Sequence, residues 1–186
     1  MTFRNPEERQ LLIIDDRRTG DYRSALGTAW RLVTDGIMGG VSAGQLTCDS
    51  AQGKACLRLR GEVSLENNGG FVQAALDFGA GGAFDASAFR GVLLEVSGND
   101  EVYNLHLRTT AVRRPWQSYR AAFRAPSGWH SVRLPFAGFR AHRIDPPLDP
   151  GQLVRIGIVA IGRAFTADIC VAKLALYRDV TPVPDG

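Results

Sequence analysis

The chain has 186 residues, of which 45% are hydrophobic and 22% are charged, and its net charge is +3 at pH 7. This length and apolar content suit one folded domain and exclude a disordered chain. No apolar run approaches the roughly 18 residues of a membrane span, so we expect no membrane insertion, and the small positive excess permits an acidic partner without requiring one.

Residues 1–27 are the predicted N-terminal arm that leads into the domain. Within residues 1–16, acidic side chains surround a single short apolar run, Leu11–Ile14. Signal peptides have a longer apolar core, and transit peptides are basic and poor in acids. We therefore expect a cytoplasmic protein, with a processed organellar chain as the open alternative. Residues 21–27 are the best candidate for one or two helical turns.

The first unusual segment runs from Trp30 to Ser42 and is rich in glycine. Glycine lets the backbone take positive φ angles and approach another surface closely. Loops of this kind on a rigid sheet scaffold are where binding sites concentrate. The candidate binding residues in this segment are Asp35, Met38, Gly39, Gly40 and Ser42.

A strand signal over residues 55–63 alternates aliphatic side chains with arginines, and a second unusual segment, residues 61–71, follows it. Its Asn-Asn-Gly-Gly run predicts a tight connection in left-handed geometry. Two interpretations stay open: the two glycine-rich loops form one binding rim, or they are turns whose polar side chains cap their own backbone. The candidate residues here are Asn67, Asn68, Gly69, Gly70 and Phe71.

A third segment, residues 108–124, interleaves arginines with Trp116 and Tyr119. Such a pattern can contact an acidic protein surface or track a nucleic-acid backbone, or it can be a solvated hairpin. We expect a protein partner rather than nucleic acid. The candidate residues are Arg113, Arg114 and Trp116.

Short strand signals separated by Gly and Pro turns recur along the chain, and helical periodicity is nearly absent. Besides residues 55–63, they fall at residues 92–96, 103–108, 119–124, 153–161 and 165–177, with a turn near 85–89. Nine or ten such strands without βαβ alternation predict an all-β fold, a two-sheet antiparallel sandwich of the jelly-roll type. A closed antiparallel barrel is the alternative. The predicted domain spans residues 28–178, followed by a loose tail, 179–186.

Catalytic and metal motifs are missing from the sequence. The three cysteines have no metal-ligand spacing, the three histidines form no zinc motif, and no G-x-S-x-G elbow surrounds a serine. We predict no catalysis, no cofactor and no metal. A calcium ion at the loop rim stays open as an alternative, with oxygens from Asp35, Asp49, Asn67 and Asp168.

Several motifs in the same order resemble the complex I intermediate-associated protein 30 family. They are the W-x4-D-x2-MGG-V-S segment from Trp30 to Ser42, the ENNGGF run from Glu66 to Phe71, and the W-x5-PF-x2-F segment from Trp129 to Phe139. The resemblance implies a galactose-binding-like jelly roll and a role as an assembly factor for NADH:ubiquinone oxidoreductase. It supplies no catalytic residues. The bias toward Arg, Ala and Gly favours a bacterial source.

Two functional hypotheses follow. The first is a chaperone-like assembly factor that holds a protein client, such as a subunit of a respiratory complex. The second is a carbohydrate-binding module, which needs exposed aromatic platforms beside amides and carboxylates, with Trp116 and Asn68 as the candidate residues. Exposure of Trp116 and Trp129 discriminates between them, because sugar binding loses its platform if both are buried.

Overall fold

The computed structural model describes residues 10–179, except for the side chain of Ile37. Residues 1–9 of the predicted arm and 180–186 of the predicted tail lie outside the described residues. Within residues 10–179, twelve strands form two antiparallel sheets that pack face to face. The strands are β1 Leu11–Asp15, β2 Arg31–Thr34, β3 Ala43–Ala51, β4 Lys54–Val63, β5 Phe71–Asp77, β6 Gly91–Gly98, β7 Glu101–Thr109, β8 Ser118–Ala125, β9 His130–Pro135, β10 Arg140–His142, β11 Leu153–Ile161 and β12 Phe165–Tyr177.

The outer face of one sheet carries a groove, so this sheet is called the groove sheet, and the other is called the supporting sheet. The groove sheet has the strand order β10-β8-β7-β11-β5-β2. The supporting sheet has the order β3-β4-β12-β6-β9. Strand β12 is long enough to pair with β4 through Phe165–Val171 and with β1 through Leu174–Tyr177. Strand β1 lies within the predicted arm, and its pairing attaches that segment to the supporting sheet.

The core lies between the sheets because side chains alternate along each strand. In β7, Tyr103, Leu105 and Leu107 are fully buried, and the residues between them face outward. The Tyr103 hydroxyl accepts a 2.9 Å hydrogen bond from the backbone N–H of Asp168 and donates a 2.6 Å bond to Asn99. This bond to β12 ties the groove sheet to the supporting sheet, and it gives a buried phenol the partner that burial demands.

The predicted all-β sandwich of the jelly-roll type is confirmed, and the closed barrel is excluded because the strands divide into two sheets. The expected helical turns at residues 21–27 are wrong: bends and tight turns occupy this segment. The remaining helical structure in the described chain is short and of the 3-10 type, over Asp35–Met38, Glu66–Asn68, Phe136–Gly138 and Pro150–Gln152. None of the helices within residues 10–179 has the length and apolar character needed to cross a bilayer.

Candidate functional site

A groove of about 300 Å³ lies on the outer face of the groove sheet. Its floor is formed by outward-facing residues of the four central strands β8, β7, β11 and β5. These residues alternate along each strand with the residues that face the core. The glycine-rich loops and the turn before β8 form its walls. Within the described chain, the lining contains arginines, histidines, amides and apolar side chains, but no aspartate or glutamate.

Basic side chains lie opposite one another across the strands of the floor, and in one of the two pairs both side chains are arginines. His106 of β7 is the register partner of Arg120 of β8, and Arg108 of β7 is the partner of Arg155 of β11. Like charges directly opposite each other destabilise an antiparallel pair. The Arg108–Arg155 pair therefore places two guanidinium groups on neighbouring strands of the floor, and Asp77 compensates the charge of Arg155.

These arginines differ in how their charge is compensated. The Nε of Arg155 donates a 2.6 Å bond to Asp77, which also pairs with Arg31. Arg120 bonds through Nε to the Ser118 hydroxyl at 2.9 Å. Among the described residues, Arg120 has no carboxylate within ion-pair distance.

Burial and crowding of charge shift the pKa values of the floor. Burial lowers the pKa of the Arg120 guanidinium, and the nearby Arg143 charge lowers it further. The pKa of His106 falls to about 3, first because of burial and then because of the charges of Arg120, His142 and Arg108. His106 is consequently neutral at physiological pH. Its Nε2 is buried and has no hydrogen-bond partner in the described structure.

Apolar side chains stand on the groove walls. Trp116 is 47% exposed, Met38 46% and Leu65 52%, although all three are large hydrophobic residues. Phe71 and Ile161 lie lower in the wall and are half-buried. Exposed apolar side chains around one concavity are typical of an interaction site, whereas isolated ones are ordinary on protein surfaces.

Gln117 fixes the turn that carries Trp116. Its side-chain oxygen accepts bonds from the backbone N–H groups of Arg113 and Arg114, and its amide nitrogen donates a 3.1 Å bond to the carbonyl of Arg143. The guanidinium of Arg114 lies 6.0 Å from the centroid of the Trp116 ring, at the limit for a cation–π contact. Trp116 is thus presented on a turn that is held in place.

A buried aspartate joins the two glycine-rich loops. Asp35 is completely buried, and its Oδ2 accepts bonds from the Ser42 hydroxyl and the Gly70 N–H, both at 2.5 Å, and from the Phe71 N–H at 3.3 Å. Its Oδ1 accepts a 3.0 Å bond from the Ser42 N–H. The carboxylate thereby accepts backbone hydrogen bonds from both loops and links residues that are far apart in sequence.

The glycines around this carboxylate are required by space. A Cβ at Gly40 would collide with the Asp35 carboxylate, and one at Gly69 would lie 2.5 Å from Asp35 Oδ2. Gly70 also has a φ angle of 140°, which side chains rarely tolerate. Gly40 of the MGG run and Gly69 of the NNGG run therefore leave the space that the buried Asp35 side chain occupies.

Hydrogen bonding keeps this aspartate charged. Burial would raise the pKa of Asp35, but the bonds from the Ser42 side chain, the Gly70 backbone and the Ser42 backbone outweigh it, and the pKa is lowered. A carboxylate that accepts several N–H and O–H bonds is stabilised in its ionised form.

The structure brings together part of the predicted set of binding residues. Met38, Asn68, Gly69, Gly70, Phe71 and Trp116 line the groove. Asp35 and Ser42 are buried beneath the wall and hold the loops, with Gly40 beside them. Gly39 ends the 3-10 helix with a φ of 84°. Asn67, Arg113 and Arg114 are exposed outside the lining.

Other groove residues were not among the predicted site residues, although Arg108 and Arg120 belong to the basic segment 108–124. They include Gln73, His106, Arg108, Arg120, His142 and Arg155. The alternation in β7 and β8 predicts that Arg108 and Arg120 lie on the outer face of the sheet. It does not predict whether that face is a groove floor or an open surface in contact with solvent. Arg155 and Gln73 belong to strands whose dense apolar runs conceal the alternation.

The candidate oxygens for calcium are dispersed. Asp49 and Asp168 both pair with Arg58 on the supporting sheet, while Asp35 is enclosed by its own loops. Within the described residues, no group of three or more His, Cys, Asp or Glu side chains is placed to hold a metal ion.

Several solved structures with a similar fold are carbohydrate-binding modules from Clostridium thermocellum. A family 11 module of the cellulosomal cellulase Lic26A-Cel5E has a TM-score of 0.70 at 12% identity, covering 91% of this chain and 95% of that one. A family 11 module in complex with a β-1,3-1,4-mixed-linked tetrasaccharide has a TM-score of 0.64 at 12% identity, covering 80% and 88%. A family 30 module of a cellulosomal cellulase has a TM-score of 0.55 at 14% identity, covering 74% and 84%.

At these identities the similarity shows the jelly-roll fold alone. No curated protein sequence matches this chain significantly. A family model matches residues 13–169, which include both glycine-rich loops, the groove sheet and most of the supporting sheet. The motifs of the two loops, which enclose Asp35, lie within this match, and the chain belongs to the complex I intermediate-associated protein 30 family.

Proposed function

We propose that this chain is a non-enzymatic binding module whose groove holds a segment of a protein client during assembly of a membrane complex. The observation that carries the proposal is the composition of the groove. Trp116 stands exposed beside apolar walls and a cationic floor, and no acidic side chain lines the described cavity. Tryptophan and arginine are the residues that most often dominate binding energy at protein interfaces.

The family supports a client among the subunits of NADH:ubiquinone oxidoreductase, because its name refers to intermediates of that complex. Trp116, Phe71 and Met38 are the proposed anchors, and the arginines steer the encounter electrostatically. The proposed location is the cytoplasm, and the bias toward Arg, Ala and Gly supports a bacterial source.

Photo-crosslinking in the native cell tests this proposal. A benzophenone amino acid replaces Trp116 in one variant, and Ser131, which is exposed on the supporting sheet, in the control. We expect protein adducts from position 116 that are absent from position 131, with subunits of the dehydrogenase among them. A client made only of unrelated enzymes would contradict the assembly role, and the absence of any adduct specific to position 116 would contradict client binding in the groove.

Carbohydrate binding is the second candidate, and the exposed indole of Trp116 favours it. Asn68, Gln73 and Gln117 supply amides beside that ring. Trp129 is a poorer platform, because it is half-buried and its indole N–H donates a 3.1 Å bond to the carbonyl of Ala51. Binding to neutral glycans on an array, lost in Trp116→Ala, would favour this candidate over the first.

A further inference from the structure

We propose that the groove floor recognises a carboxylate of the bound segment, so that the client presents an acidic residue next to an apolar one. This inference rests on the proposed function, since it specifies the chemistry of the segment that the groove receives. The residues that carry it are Arg120, His106 and Arg108 on the floor, with Trp116 and Phe71 beside them.

Arg120 and Arg108 lack the carboxylate partner that other partly buried arginines of the described chain have. Arg58 is held by Asp49 and Asp168, and Arg155 is held by Asp77. Arg120, which is partly buried in the floor, has only a hydroxyl partner in the described structure. Removing a charge from water is costly unless an opposite charge and hydrogen bonds compensate for it. A bound carboxylate would supply that compensation.

His106 gives a second, independent indication. It is only 9% exposed, it lines the groove, and its Nε2 has no partner among the described residues. Buried polar atoms nearly always have a hydrogen-bond partner. A neutral imidazole with its proton on Nε2 can donate to an anion. Arg120 is its register partner on the next strand, so both side chains lie on the same face of the groove sheet, next to the proposed carboxylate.

Arg108 adds charge without being fully occupied. Its two terminal nitrogens reach only backbone carbonyls, of Pro115 at 3.3 Å and of Arg114 at 3.5 Å. These bonds are long for a charged donor. They orient the guanidinium under the turn that carries Trp116. The acidic group and an apolar side chain of the ligand would therefore sit side by side.

The walls favour a peptide over an acidic sugar. Besides the rings of Trp116 and Phe71, the walls carry Met38, Leu65 and Ile161, whose side chains offer no flat platform for a further sugar ring. Sugar hydroxyls also need acceptors, and the described lining offers amide oxygens of Asn68, Gln73 and Gln117 but no carboxylate. Aliphatic contacts with amides for backbone groups suit an extended peptide.

The test is selection of phage-displayed random 12-residue peptides on the intact protein, followed by affinity measurements on the synthesised peptides. We expect selected sequences to carry Asp or Glu next to an aromatic or aliphatic residue. Arg120→Met should weaken binding about 30-fold or more, as expected for loss of one partner of a buried charge pair. Arg124→Met is the matched control, because Arg124 is exposed on the same strand outside the groove.

A change in the peptide repeats the test without altering the protein. Replacing the selected Asp or Glu by Asn or Gln should weaken binding to the wild type strongly and to Arg120→Met only slightly. Selected peptides that lose binding in Trp116→Ala but lack acidic residues and ignore Arg120 would overturn this inference and leave the proposed function standing. Failure to select any groove-binding peptide, with binding of uronic-acid oligosaccharides instead, would overturn both.

Discussion

The carboxylate of Asp35 occupies the space that a side chain at Gly40 would need. The same carboxylate accepts hydrogen bonds from Ser42 and Gly70, which are separated by a complete β-hairpin. One buried charge thus sets the spacing of two loops, and these loops form one wall of the groove. Gly40 and Gly69 are required because the Asp35 carboxylate is buried against them. The conformation of the wall depends on the glycines and on the aspartate.

We expect Gly40→Ala to destabilise the fold by about 2–3 kcal/mol, because the added methyl group overpacks the site of Asp35. Urea unfolding followed by circular dichroism measures the change. Gly79→Ala is the control, since no heavy atom lies within 4 Å of a methyl group added there. The double variant Asp35→Ala/Gly40→Ala should lose less stability than the sum of the single variants. Additive losses would show that the two residues do not share one space.

Asp35→Asn should destabilise the protein by about 2–4 kcal/mol at pH 7. The amide NH2 of Asn would replace a carboxylate oxygen that accepts hydrogen bonds, so it would face N–H or O–H donors and leave them without an acceptor. The lowered pKa of Asp35 sets the pH range of the effect. The stabilisation is fully present above the unfolded value of about 3.8 and is lost as pH falls through the folded pKa. The difference in unfolding free energy between wild type and variant should therefore shrink only below about pH 3.8. A difference that does not depend on pH would contradict an ionised Asp35.

His106 should make the folded state sensitive to mild acid. Its pKa is lowered to about 3 in the fold, so below pH 6.5 the unfolded chain binds a proton that the folded chain does not. Stability should fall with decreasing pH by up to about 1.4 kcal/mol per pH unit. In His106→Gln this slope between pH 6.5 and 4.5 should flatten. A remainder is expected from His142, whose pKa burial also lowers. An unchanged slope would contradict a neutral, buried His106.

Trp116→Ala should leave the unfolding free energy within about 0.5 kcal/mol of wild type, because the side chain is exposed. Affinity for the crosslinked client should fall about 30-fold, as for a central tryptophan anchor. Val102→Ala is the control, since Val102 is exposed on β7 away from the groove. Equal client affinities of Trp116→Ala and Val102→Ala would show that Trp116 does not contact the client.

Replacing Arg113 and Arg114 together by Ala should leave folding intact and weaken client capture. Both side chains are exposed at the turn before β8, and their backbone N–H groups keep the bonds to Gln117 in the variant. Their loss should reduce the association rate more than it increases dissociation, because rim charges mainly steer encounter. Surface plasmon resonance at low and high salt separates the rates. If the double variant and the wild type have the same client affinity at both salt concentrations, these residues do not belong to the interface.

The fold could be predicted from the sequence because the two-residue alternation determines which side of each strand is buried. The arginines of β4 and the tyrosine, alanine and phenylalanine of β8 follow it as expected. The segment 21–27 was mispredicted as helical because local hydrogen bonds there form turns, such as that from the Gly27 N–H to Ser24. The Ala25 N–H also donates a 2.8 Å bond to the carbonyl of Ile14, and such a tertiary contact overrides weak local propensity.

The site could be predicted only in part. Glycine-rich runs identified the loops, but the pattern could not distinguish a residue that contacts a partner from one that holds the wall, as Asp35 does. The floor could not be predicted, because His106, Arg120 and Arg155 come together only through strand order and register. Neither property is encoded in the spacing of one segment.

The central claim is that a client segment lies in the groove on the outer face of the groove sheet. Chemical-shift mapping of the labelled protein with a peptide from the crosslinked client region tests it most directly. The account predicts shifts confined to that face, including the amides of Gln73, His106, Ile161 and the indole of Trp116. Shifts confined to the supporting sheet or to edge strand β3, with these four signals unchanged at saturation, would contradict it.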